Sequence, residues 1–157
     1  MGRKKFKLSH SITGLTVLIA LDGALVYLAP AGVTPWLILC SAVAGSLGIL
    51  YVAMEVIEEV RNATHMLVLL STVVAEFIIF FTFEYWFLII VSAPSFPTLP
   101  PDAASLLLHS TMVFVFNPLY LPATFIGRVL LLINTLSALG LVLFILQNIT
   151  QFRRSLQ

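Results

Sequence analysis

Long apolar runs punctuated by short polar breaks set the pattern of this chain, and four runs reach the roughly 20 residues needed to cross a bilayer core. The first spans Ile12 to Ala29 and stops at Pro30-Ala31-Gly32. The second starts near Pro35, a favoured first-turn residue, and passes Gly45 and Gly48 to about Val56. The third runs from Met66 to Val91 and ends in Pro94, Pro97, Pro100 and Pro101; the fourth follows Pro122 and continues to Ile149. A fifth apolar stretch, Ala103 to Phe116, is too short to span and is interrupted by His109, Ser110 and Thr111. Its length fits a re-entrant or interfacial segment.

Charge sharpens this division. Arg3, Lys4, Lys5 and Lys7 precede the first run, Arg61 follows the second, and Arg153 and Arg154 follow the fourth. With four spans, every loop Lys and Arg falls on one side, as the positive-inside rule requires. Counting 103–116 as a fifth span would break that sidedness. The expectation is an all-α, multi-pass integral membrane protein with four transmembrane helices, a re-entrant helix and loop between the third and fourth, and both termini cytoplasmic. Composition agrees: 60% of the 157 residues are hydrophobic and 10% charged, too few charges to cover a soluble domain. Trp36, Tyr85 and Trp86 suit an interfacial aromatic belt.

The segment after Pro94 carries the most specific signal. Asp102 or Pro101 starts a short helix, Asn117-Pro118 ends it, and a long helix follows. Irregular backbone at membrane depth persists only when buried in protein or lining a water-filled cavity. Thr111, Pro122, Thr124, Gly127 and Arg128 keep, without a gap, the spacing of a Thr-rich helix end followed by Pro-x-Thr and Gly-Arg. In this, residues 66–154 resemble the two-helix pore module of the tetrameric potassium-channel superfamily. The resemblance implies an outer helix 66–91, a turret 92–101, a pore helix 102–112, a filter-like loop 113–121 and an inner helix 122–151. Ahead of these lie a basic N-terminus, 1–11, and a transmembrane hairpin, 12–58. It also implies a homotetramer in membrane lipid and gives no permeant ion.

The filter departs from that pattern. The filter-like residues are Thr111, Met112, Val113, Phe114, Val115, Phe116, Asn117 and Pro118. Only Val115 keeps the family's Thr-Val-Gly-Tyr-Gly-Asp; Phe116 and Pro118 stand where its glycines turn carbonyls toward the ion. Phe at positive φ is a strained outlier and Pro fixes φ near −65°, so a filter selective for potassium is not expected. On the family's register, Leu139, Val142, Leu146 and Thr150 line the inner cavity; a stripe of ordinary helix–helix contacts is the equal alternative.

Four ionisable groups fall inside the apolar runs: Asp22, Glu76, Glu84 and Arg128. Such groups are costly in lipid and are usually paired or functional. Asp22, Glu84 and Arg128 sit six or seven residues inside their spans, roughly 10 Å deep at about 1.5 Å per residue. Equal depth predicts an Arg128–Glu84 bridge, with Asp22 as a candidate third member, structural or tuning permeation. Glu76 lies near mid-membrane, with Asn134 as its expected partner. The spans lack the regular Arg or Lys of a voltage sensor. His10, His65 and His109 form no helix-face pair for metal or haem, and Cys40 is alone. No enzyme activity, cofactor, metal or nucleic-acid partner is expected. The function implied is an ion-channel-like pore with a non-standard filter; the alternative is a non-conducting structural or accessory membrane protein on the same scaffold.

Overall fold

A computed structural model describes Gly14, residues 16–21, 23–24, Leu28, 34–59 and 63–154. The described residues contain helices and no strands. Four helices follow the N-terminal segment: α1 Thr34–Glu59, α2 Ala63–Val91, α3 Ala103–Phe114 and α4 Phe125–Arg154, with a 3-10 turn at Ala93–Ser95 after α2. Three stretches, Thr34–Ile57, His65–Val91 and Phe125–Gln147, are long and apolar enough to cross a membrane. Of the expected first span, 12–29, Gly14, 16–21, 23–24 and Leu28 are described. Its described positions are helical, and Leu18 and Ile19 pack against the core.

Each long helix buries one stripe. On α1 it runs through Ile38, Ala42, Ile49, Ala53 and Val56; on α2 through Leu70, Val73, Phe77, Phe80, Phe81 and Leu88; on α4 through Leu130, Asn134, Ala138 and Leu141. Apart from the adjacent Phe80 and Phe81, these spacings of three, four and seven residues are the faces of a 3.6-residue helix. Helix α1 packs on both α2 and α4, and α3 lies between α2 and α4. Helix α1 comes close to α2 at Gly45, where a side chain would overlap the Phe80 ring. Gly48, one turn on, faces open space. Of the first pair's described glycines, Gly45 therefore has a definite packing reason.

Helix α3 presents Leu106, His109, Ser110 and Val113 inward, again at helical spacing. It begins where expected: the Asp102 side chain accepts a 2.9 Å hydrogen bond from Ser105 N–H, satisfying an otherwise orphaned donor of the first turn. The Ser105 side chain and backbone N–H hold the Asp102 carboxyl below the usual carboxylate range. The helix ends two residues later than the expected 102–112, because Val113 and Phe114 continue the helix and pack inward, Phe114 against Phe77 at 5.7 Å between ring centroids.

Candidate functional site: the segment between α2 and α4

The backbone after α3 closes in a Schellman motif. Phe116 N–H donates to Val113 O at 2.9 Å, and Asn117 N–H reaches back to Met112 O at 2.8 Å. That geometry requires a left-handed residue at Phe116, whose φ is 62°, the single positive φ at a non-glycine among the described residues. A left-handed L-residue costs about 1–2 kcal/mol, and glycine is the usual occupant. The strain is real, and Phe116 remains 47% exposed.

The filter-like residues consequently divide in two. Thr111 and Met112 are helical, within the expected 102–112, while Val113 and Phe114, expected in the loop, are helical as well, and Val115 caps the helix. Phe116, Asn117 and Pro118 begin the irregular segment. Val115 N–H donates to Thr111 O at 3.2 Å, so the Thr111, Met112 and Val113 carbonyls all accept bonds within the helix end. The Thr111 hydroxyl is also turned back, donating to Leu107 O at 2.8 Å. Helical hydrogen bonding wins here because nothing before Val115 forbids it.

The frame around this turn has a clear physical basis. Thr124 caps α4, its hydroxyl accepting from Gly127 N–H at 3.2 Å and donating to Ser95 Oγ at 2.9 Å. Ser95 Oγ in turn donates to Ser92 Oγ, and Ala123 N–H donates to Ser95 O at 2.9 Å. Gly127 lets the start of α4 approach this buried turn: a Cβ there would lie 2.9 Å from Pro122 Cβ and 3.0 Å from Ser95 O. The Pro-x-Thr-x-x-Gly spacing thus clamps the start of α4 to the end of α2. Nothing in the residue pattern marks Ser95 as the receiving partner.

Behind the clamp sits His109, fully buried, with its ring 4.7 Å from Tyr85, 5.6 Å from Phe96 and 5.6 Å from Tyr120. Neither ring nitrogen has a hydrogen-bond partner. Desolvation pushes the imidazole down to about 4, so it is neutral in this cage. On the far side of Tyr85, Asn134 Nδ2 donates to the phenol oxygen at 3.2 Å. Asn134 is thus bonded to Tyr85 rather than to Glu76, its expected partner.

The ionisable residues do not assemble as equal depth predicted. Glu84 is 1% exposed and accepts a 3.0 Å hydrogen bond from Ser41 on α1. Arg128 lies on the exposed side of α4, and no ion pair joins the two. Glu76 is half-buried, and Asp22 lies outside the described residues. Along α4, Leu139 and Leu146 are exposed and Val142 is half-buried, a stripe facing away from the chain's own core; the side chain of Thr150 lies outside the described residues. Among the described residues no group of three or more His, Cys, Asp or Glu is placed to hold a metal. No family model, curated protein or solved structure matches the chain.

Proposed function

We propose that this chain is a multi-pass membrane protein of channel-like architecture. In this reading α2 is the outer helix, α3 a re-entrant pore helix, 115–124 a filter-like turn and α4 the inner helix. Residues 12–29 supply a fourth span, and the sidedness of the basic residues puts both termini in the cytoplasm. The functional unit is a homotetramer whose Leu139–Val142–Leu146 stripe lines an apolar cavity able to close by dewetting. The observation that carries this reading is the left-handed Phe116 directly after a short helix, at the position where the resemblance calls for a filter glycine. The Thr124–Ser95 clamp that holds the turn's return arm supports it.

In this reading the filter does not select potassium by stripping its water, because Phe116 and Pro118 stand where the family's glycines turn carbonyls toward the ion. The same observation favours a second reading, a non-conducting structural or accessory protein that keeps the scaffold. Ion flux from liposomes holding the purified protein decides between them, with potassium, sodium, calcium and chloride compared across pH and membrane tension. The channel reading expects protein-dependent flux of at least one ion. Impermeability to all four under every condition would overturn it in favour of the scaffold reading, and an assembly without four-fold symmetry would remove the channel likeness altogether.

A further inference from the structure

A crevice of about 180 Å³ opens between the second half of α2 and the start of α3. Its walls are Thr82, Phe83, Trp86, Pro101, Ala103 and Leu106. The single hydroxyl in that wall, Thr82 Oγ1, already donates to Ile78 O at 2.8 Å. Among the described residues the Trp86 indole N–H is the one side-chain donor left in this wall; the rest is aromatic and aliphatic surface, which suits a hydrocarbon chain.

Two further observations identify the source of that hydrocarbon. Ile79, Phe83, Trp86 and Ile90 follow one another at helical spacing, and Ile79, Trp86 and Ile90 are exposed. The crevice therefore continues the apolar stripe that α2 turns toward its surroundings. Depth agrees with this. His65–Val91 is 27 residues long, about 40 Å at the α-helical rise, which overshoots a core of about 30 Å by roughly 5 Å at each end. Trp86, five residues before Val91, then lies just inside the hydrocarbon boundary, and Thr82 about one turn deeper. The crevice is level with the headgroup-proximal part of a lipid tail.

We propose that this crevice is a specific binding site for one lipid acyl chain, seated between α2 and α3 against the Trp86 indole. The inference rests on α2 lying in a bilayer, as in the function proposed above. An acyl chain here would brace the start of α3 beside Leu106, one turn before the His109 cage, coupling lipid content to the segment between α2 and α4.

Tryptophan quenching tests it, because Trp36 and Trp86 are the two tryptophans of the chain. Single-tryptophan variants, Trp36→Phe and Trp86→Phe, are titrated in detergent micelles with phosphatidylcholine brominated near the headgroup end or near the methyl end of its tails. Trp86 is expected to lose about half its emission at a lipid-to-chain ratio near unity, more strongly with the headgroup-proximal label. Trp36, 52% exposed on α1, falls only as lipid accumulates in the micelle. Ala103→Phe, and separately Thr82→Leu, narrow the crevice and return Trp86 to the Trp36 pattern while far-UV circular dichroism stays unchanged. Identical titrations for the two tryptophans overturn the site, as does a Trp86 response that survives both narrowing variants in folded protein. Trp86 shielded at every ratio, with Trp36 quenched, also overturns it and points to a second copy of the chain on this face. In vesicles made of brominated lipid, absence of quenching at both tryptophans would defeat the bilayer reading itself, a result separable from failure of the site.

Discussion

Adding one methyl group at each of two glycines of α4 separates close packing from helix propensity. Gly127 and Gly140 lie on the same helix. A Cβ on Gly140 meets nothing within 4 Å, whereas one on Gly127 meets Pro122 Cβ at 2.9 Å, Ser95 O at 3.0 Å and Phe96 at 3.3 Å. Ordinary propensity favours alanine over glycine by up to about 1 kcal/mol, so Gly140→Ala is expected to be neutral or stabilising. Gly127→Ala receives that gain at most in part, since it sits in the first turn, and faces an overpacking cost of about 1–3 kcal/mol. One of its obstacles is a backbone oxygen, which has no rotamer to move away. Relief requires α4 to back off from the Ser95 turn, which weakens the Thr124–Ser95 and Ala123–Ser95 hydrogen bonds, each worth about 1 kcal/mol. The two variants should therefore differ by about 2–4 kcal/mol, a gap on the order of 10 °C in thermal midpoint for a chain of this length. Tryptophan-monitored melting in detergent measures it. Equal midpoints would refute the view that Gly127 is present to admit the clamp, and so would a Gly127→Ala protein more stable than the parent.

Two further outcomes follow from the short helix α3. His109→Phe keeps the ring and removes two buried nitrogens that have no partner, so the midpoint should hold or rise, while His109→Ala empties the cage and should lose about 3 kcal/mol; a His109→Phe protein as damaged as His109→Ala would refute the neutral-cage reading. Asp102→Ala should lower the midpoint at neutral pH. Because the folded Asp102 carboxyl lies below its ordinary value of 3.8, its contribution is complete above that value and disappears as pH falls through the folded pKa. Melts of parent and variant from pH 7 downward should converge in acid; a gap that stays constant would show that the cap does not act through its charge.

Much of this architecture is legible in the residue pattern, and the omissions have physical causes. The apolar runs located α1, α2 and α4 because a 20-residue run has few alternatives to a long buried helix. Asp102 was readable as a helix start because capping is local. The Asn117-Pro118 break was also readable, but placing the turn required knowing that Val113 and Phe114 gain inward contacts by staying helical. The expected Arg128–Glu84 pair failed for a different reason. Depth along a helix follows from sequence, while azimuth depends on which face its neighbours cover, and Glu84 turns to α1 while Arg128 turns out. The His109 cage joins Tyr85, Phe96 and Tyr120 from three different segments, and no periodicity links them. Ser95 is 29 residues from Thr124, and nothing in its own neighbourhood marks it as a receptor.

The tie between Ser95 and Thr124 also bears on how the chain is threaded during synthesis. It joins the exit of α2 to the entry of α4, so the 28 residues between them leave and return at the same end of the helix pair. The excursion is topologically even: lengthening or shortening it leaves the direction of α4 untouched. Reporter groups inserted at 97–100 and at 119–121 should therefore read the same compartment. The course of α3 within that excursion therefore has no bearing on which way α4 runs.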